Sequence, residues 1–183
     1  MRLFPLLIIS ILLSASLSAQ NIPIKPGHSA GEIKIGMSQQ DVCTILGGDF
    51  QIKNYEEEKT AFDGNYNIST LLQFKIGFDS VVVYSDSFPK YPFFKLYFKN
   101  NRLNYYILTS YGADENIIKR YILPKKIRFG DKKEKVLRKY KKPTSVEEIN
   151  SYDGDYTWEK KGIELLFDTE TGLSVVYIFT PLK

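Results

Sequence analysis

A single pattern occurs twice in this chain, at a spacing of 94 residues. Residues 33–47 read I-K-I-G-M-S-Q-Q-D-V-C-T-I-L-G, and residues 127–143 read I-R-F-G-D-K-K-E-K-V-L-R-K-Y-K-K-P. With Gly36 set against Gly130, Ile33 falls on Ile127, Ile35 on Phe129, Val42 on Val136 and Leu46 on Tyr140. A repeat constrains a fold more than composition does, because whatever unit one copy builds, the other is expected to build as well.

Each copy reads as a turn glycine followed by a short helix. Ser38 with Asp41, and Asp131 with Glu134, make capping patterns in which a side-chain oxygen accepts from a free first-turn N–H. Val42, Ile45 and Leu46 share one helical face, as do Val136, the Lys139 stem and Tyr140. Gly47-Gly48 ends the first helix and Pro143 the second. The copies also end alike. Residues 93–109 alternate around a polar turn at Asn100-Asn101, and residues 163–179 alternate around Thr169 to Gly172, so each predicts an antiparallel hairpin. Phe98 then corresponds to Phe167, and Leu103 to Leu173. Further strands are expected at 71–76, 81–84 and 156–160, with a short joining helix over 113–122. The expected class is α+β: two tandem units, each a short helix (or helix pair) packed on an antiparallel β-sheet. The expected divisions are 1–19, 20–111 and 112–183.

The first of these divisions is a leader. Arg2 precedes an apolar run from Leu3 to Leu13, and small residues follow from Ser14 to Ala19. The run is well short of the roughly 20 residues a membrane span needs, so it predicts a secretory signal peptide cut after Ser18 or Ala19. About 164 residues then remain, enough for one domain or two small ones. The expected location is periplasmic or secreted, with no transmembrane segment after cleavage. Cys43 is the only cysteine, so no internal disulfide is possible, and its place beside Val42 predicts a buried thiol.

Charge is unevenly laid out. Residues 119–142 hold twelve Lys or Arg against Asp131 and Glu134, and residues 147–170 hold eight acids against Lys160 and Lys161. Two surfaces of opposite sign are implied, which keep the chain soluble or steer an acidic partner. Export argues against nucleic acid.

No catalytic constellation is legible. The one histidine, His28, lies in a Pro-Gly-His-Ser loop, too few for a triad or a histidine zinc site. Glu56-Glu57-Glu58 reads as a solvated acidic segment. Asp153-Gly154-Asp155 lacks the ligand series of a calcium loop and reads as a turn. Neither a metal nor a cofactor is expected, and the chain is not expected to be an enzyme.

The pattern I-x-I-G-M-S-x-x-D-V-x-x-x-L-G, followed by antiparallel strands, resembles the tandem repeat of β-lactamase-inhibitor-protein-like domains. It is similar also to the related SmpA/OmlA lipoprotein domain. The resemblance covers roughly residues 30–180. It implies protein binding by an aromatic sheet surface or a scaffolding role in outer-membrane assembly. The disulfides of the inhibitors and the anchoring cysteine of the lipoproteins are both missing, so neither specific activity is implied.

Partner-binding candidates follow from alternation. Phe94, Leu96 and Phe98 point to one face, Lys95 and Tyr97 to the other, and Tyr156 shares a face with Trp158. If helices cover the Phe94 side, Tyr97 lies on an open side, where Tyr and Trp are the usual interface anchors. Phe88 and Tyr91, in the proline-rich loop 85–92, are a second contact. The plainer account is that these rings complete the core. The expectation is an exported, non-catalytic protein-binding module of the bacterial cell envelope, whose partner is another envelope or secreted protein. The alternative is a periplasmic small-ligand or lipid-binding carrier.

Overall fold

The computed structural model describes residues 21–47, 50–57, 76–84, 93–111, 113, 115–149 and 152–183. The expected leader, the expected loop at 85–92 and most of the expected strand 71–76 lie outside them. The first elements are three short strands, β1 (Ile22–Lys25), β2 (Ser29–Ala30) and β3 (Ile33–Lys34), followed by helix α1 (Gln39–Leu46). Four longer strands come next: β4 (Phe50–Asn54), β5 (Ser80–Tyr84), β6 (Phe93–Lys99) and β7 (Arg102–Thr109). After a single turn of helix, α2 (Glu115–Ile118), come β8 (Tyr121–Leu123), β9 (Ile127–Arg128) and α3 (Lys133–Tyr140). The chain ends with β10 (Ser145–Ile149), β11 (Tyr152–Trp158), β12 (Ile163–Asp168) and β13 (Gly172–Phe179).

The fold is α+β, and its strands form two sheets. The two sets of long strands, expected as separate sheets, join edge to edge in one eight-stranded antiparallel sheet of order β10-β11-β12-β13-β7-β6-β5-β4. The seam is β7·β13, where Tyr106 faces Ile178 and Leu108 faces Val176. The short strands form a second sheet, β3-β2-β1-β8-β9, in which β1 runs parallel to β8. Strands of two to four residues carry too little periodicity to read, so this second sheet was invisible in the sequence.

The two glycine corners share one backbone plan. Gly36 and Gly130 have φ of 87° and 82°, a left-handed conformation that costs glycine nothing. The Gly36 N–H donates to the Leu103 carbonyl at 2.7 Å, and the Leu103 N–H donates to Met37 at 2.8 Å. The Gly130 N–H donates to Leu173 at 2.9 Å, and the Leu173 N–H donates to Asp131 at 2.9 Å. Each corner is thereby locked onto the return strand of its hairpin. Each hairpin also carries a register shift at matching places, between Tyr97 and Phe98 and between Leu166 and Phe167. The extra residue of each bulge is on the return strand, Asn104 in one and Ser174 in the other, and Phe98 and Phe167 opposite are both fully buried on the helix side.

The caps agree in part. Ser38 Oγ accepts the Asp41 N–H at 3.1 Å and donates to the Asp41 carboxylate at 2.7 Å. Asp131 does not cap α3 as expected. Its carboxylate turns back to accept the Arg128 N–H at 3.0 Å and pairs with Lys135 at 2.5 Å, leaving Lys132 at the N-cap without a side-chain bond. The hairpin turns differ too. Asn100 and Asn101 both adopt positive φ, the two-residue turn that matches strand twist. In the second hairpin Asp168 Oδ1 accepts the N–H groups of Glu170 and Thr171, and Gly172 closes the turn at φ 81°.

Other local expectations need correction. The joining helix is confined to Glu115–Ile118, and residues 121–123 are strand. Asp153-Gly154-Asp155 lies inside β11 rather than in a turn. A Cβ on Gly154 would stand 2.9 Å from the Glu147 carbonyl, so glycine permits the close approach of β10 at its irregular register. Glu57 is not merely solvated: it accepts the Asn54 N–H at 2.8 Å while Asn54 accepts the Glu57 N–H at 2.9 Å, a reciprocal cap. Cys43 is half-buried against the core rather than buried, and burial pushes its thiol up, keeping it protonated.

Candidate functional site

The sheet presents two faces of different character. On the helix side, Val82, Leu96, Tyr106, Ile178, Ile163 and Trp158 form an apolar cross-strand row from β5 to β11. These residues belong to one buried cluster that also holds Val42 and Leu46 of α1 and Val136 and Tyr140 of α3. Both helices therefore cover the same side.

The other side changes from one end to the other. Toward β5, Val81, Tyr97, Tyr105 and Phe179 form a row that is fully buried. Phe78 covers it, with its ring 4.8 Å from Tyr97 edge-to-face and 5.1 Å from Tyr55, and Ile76 joins the same cluster. Toward β10 the residues turn acidic. Asp155 faces Glu147 across one ladder and Leu166 across the other, while Thr157 faces Glu164 and donates to it at 3.1 Å. Asp155 is 7% exposed, and its Oδ1 has no hydrogen-bond partner among the described residues. Burial, then the carboxylates of Glu164 and Glu147, push its pKa up to about 8.

Between these ends runs a half-buried row, Lys95, Ile107 and Tyr177, on adjacent strands β6, β7 and β13. Tyr177 faces Glu164 on its far side. Burial first, then Asp155 and Glu164, hold its hydroxyl well above its ordinary pKa. The row is a half-buried mid-sheet strip, with Ile107 and Tyr177 leaning on the Tyr97 cluster, a cation at one end and carboxylates at the other.

The candidates chosen from sequence separate against this map. Lys95 lies in the strip. Tyr97 has the predicted facing but is covered and 0% exposed, so it is core and not a contact. Alternation says which way a side chain points, not what is laid over it. Trp158 is 3% exposed on the helix side, with its indole N–H donating to the Lys141 carbonyl at 3.3 Å, and so is also core. Tyr156 is half-buried on that same side, edge-to-face with Phe167 at 5.5 Å. Phe88 and Tyr91 lie outside the described residues. His28 is exposed in the β1–β2 turn. Tyr177 and Ile107 were missed, although the two-residue period through Tyr105–Thr109 and Val175–Phe179 was their signal; nearer the turns the extra residues Asn104 and Ser174 interrupt it. Among the described residues no three His, Cys, Asp or Glu are grouped to hold a metal, and no helix is long and apolar enough to cross a membrane.

No protein-family model, curated protein or solved structure matches this chain.

Proposed function

We propose that this chain is an exported, non-catalytic protein-binding module of the cell envelope that works in the periplasm or outside the cell. Its contact surface is the Lys95–Ile107–Tyr177 strip, and Phe88 and Tyr91 are further contact candidates from the sequence. The observation that carries this reading is the strip itself: a tyrosine, an aliphatic side chain and an amine, side by side on three central strands. Flat, partly apolar surfaces with Tyr at the centre are typical of protein contacts. The leader-like segment 1–19 supports export. The matched corners support a tandem duplication with units at 20–111 and 112–183. The resemblance to β-lactamase-inhibitor-protein-like and SmpA/OmlA domains supports a binding role over catalysis.

The test is capture from a native envelope extract with the wild-type chain and with Lys95→Glu/Tyr177→Ala. The expected result is a co-purifying protein lost from the variant while its melting temperature stays close to wild type. Equal capture by both would overturn the reading.

A shallow, open depression of about 390 Å³ over the paired strands β1 and β8, lined by Pro23, Ile24, Lys25, Ile122 and Pro124, is what a second reading, a small-ligand carrier, would use. That volume is in the range of small-molecule sites. Native mass spectrometry of protein purified from its own compartment would show a retained ligand if this reading holds, and a bare chain if it does not.

A further inference from the structure

We propose that the basic corner at the C-terminal end of α3 is a binding site for a phosphate-bearing anion, held by Lys125, Lys139, Lys141 and Lys161.

Three ammonium groups, those of Lys125, Lys139 and Lys161, are held there from three segments of the chain, with Lys141 near enough to repel Lys161. Lys125 donates to the Lys139 carbonyl, and Lys139 donates back to the Lys125 carbonyl at 2.6 Å. Lys161 donates to the Tyr140 carbonyl at 2.9 Å and stands 5.0 Å above the Tyr140 ring and 5.8 Å from the Trp158 ring. Lys141 follows directly at the helix cap. Among the described residues none of the four is paired with a carboxylate. Burial, followed by repulsion from Lys125 and Lys141, holds the Lys161 pKa below its ordinary value.

The ordinary explanation is that cations settle the free carbonyls and dipole at a helix end. The end of α1 shows that this corner closes without them. Gly47 caps α1 at φ 62° with its N–H on Cys43, as Lys141 caps α3 at φ 67° with its N–H on Leu137. The last turn of α1 has no basic residue. The lysines at α3 are therefore additional to what the fold requires.

They are also kept against a backbone cost. Lys125, Lys126 and Lys141 have φ of 62°, 58° and 67°. A side chain in this left-handed region costs about 1–2 kcal/mol, and glycine would adopt it freely. Strain of this kind gathers where a side chain has work to do. Each of the three ammoniums bonded to carbonyls has further N–H donors to spare, and lysine is a regular point-charge partner of phosphate. A dianionic phosphate, with several oxygens in a small volume, is the ligand chemistry that neutralises the cluster.

The test uses the purified chain and Lys125→Gly/Lys141→Gly, which removes two charges at positions where glycine relieves strain, so that misfolding does not mimic lost binding. Inorganic pyrophosphate is titrated by calorimetry at low and high salt. Vesicles of phosphatidylcholine with and without phosphatidic acid are tested by co-sedimentation. Wild type is expected to bind at least one probe, more weakly as salt rises. The variant is expected to bind roughly tenfold or more weakly, with a melting temperature no lower than wild type. Pyrophosphate binding alone would identify a soluble phosphate ligand, and vesicle binding alone a lipid headgroup. Binding of neither probe, equal binding by the variant, or binding of polyglutamate in place of both probes would overturn the proposal.

Discussion

The two faces of the large sheet are made by the same strands and differ in what they hold. The helix side is apolar through its middle rows, and its rings and aliphatic chains pack against α1 and α3 in one cluster, with Ser80 of β5 reaching Gln39 of α1 at 3.2 Å. The other side has an aromatic core at the Tyr97 end, and among the described residues only Leu166 and Val175 are buried apolar residues in the Asp155 row. Its remaining rows contain Lys95, Tyr177, Glu164 and a buried, partnerless Asp155 carboxyl oxygen. Burying a carboxyl group without a full set of hydrogen bonds costs stability. One face is thus given over to folding, and the other keeps groups that folding alone does not explain.

The largest effects should come from the helix side. Phe98→Ala and Phe167→Ala each remove a fully buried ring just past a bulge, and each is expected to cost about 3–5 kcal/mol in urea denaturation. Losses differing by more than ~2 kcal/mol would break the equivalence of the two corners. Tyr97→Ala sharpens the division of the other face. Because Tyr97 is 0% exposed and packs edge-to-face on Phe78 and Tyr105, its loss should also be in the range of ~3–5 kcal/mol. A loss under ~1 kcal/mol would mean the Phe78 cover contributes little.

Asp155 gives the comparison a pH signature. Its folded pKa of about 8 exceeds the ordinary carboxylate value of 3.8, so the folded chain keeps a proton that the unfolded chain gives up. The stability this contributes is complete below the ordinary value. It is lost as pH rises between that value and about 8. Asp155→Asn should flatten the decline, read as denaturation midpoints from pH 4 to pH 9, and parallel curves for the two proteins would contradict the assignment. Smallest of all, Lys95→Ala on the half-buried strip should change stability by less than about 1 kcal/mol.

How much was legible in the sequence follows the same division. Helices α1 and α3 stood out because a turn glycine, a 3.6-residue apolar period and a helix stop coincide twice. The hairpins stood out because Asn100-Asn101 and Thr169 to Gly172 interrupt clean alternation. The joining of the strands into one sheet was not legible, since the β7·β13 seam depends on pairing between residues about seventy positions apart, which no local pattern encodes. The site was legible only in its facing. Parity placed Lys95 and Tyr97 together correctly, but the cover supplied by Phe78 and Ile76 arrives from a distant segment and converts one of them to core. The cations of residues 119–142 could be counted but not placed. Only the left-handed backbone at Lys125 brings three of them together at the end of α3, where Lys161 returns from outside that stretch to join them.

The direct test of the division is site-specific photo-crosslinking in intact cells, with the reactive side chain placed in turn at Tyr177, at Ile107 and, on the outer side of α3, at Arg138. Adducts to another envelope protein are expected from positions 177 and 107 and not from 138. Adducts from position 138 with none from the sheet strip would contradict it.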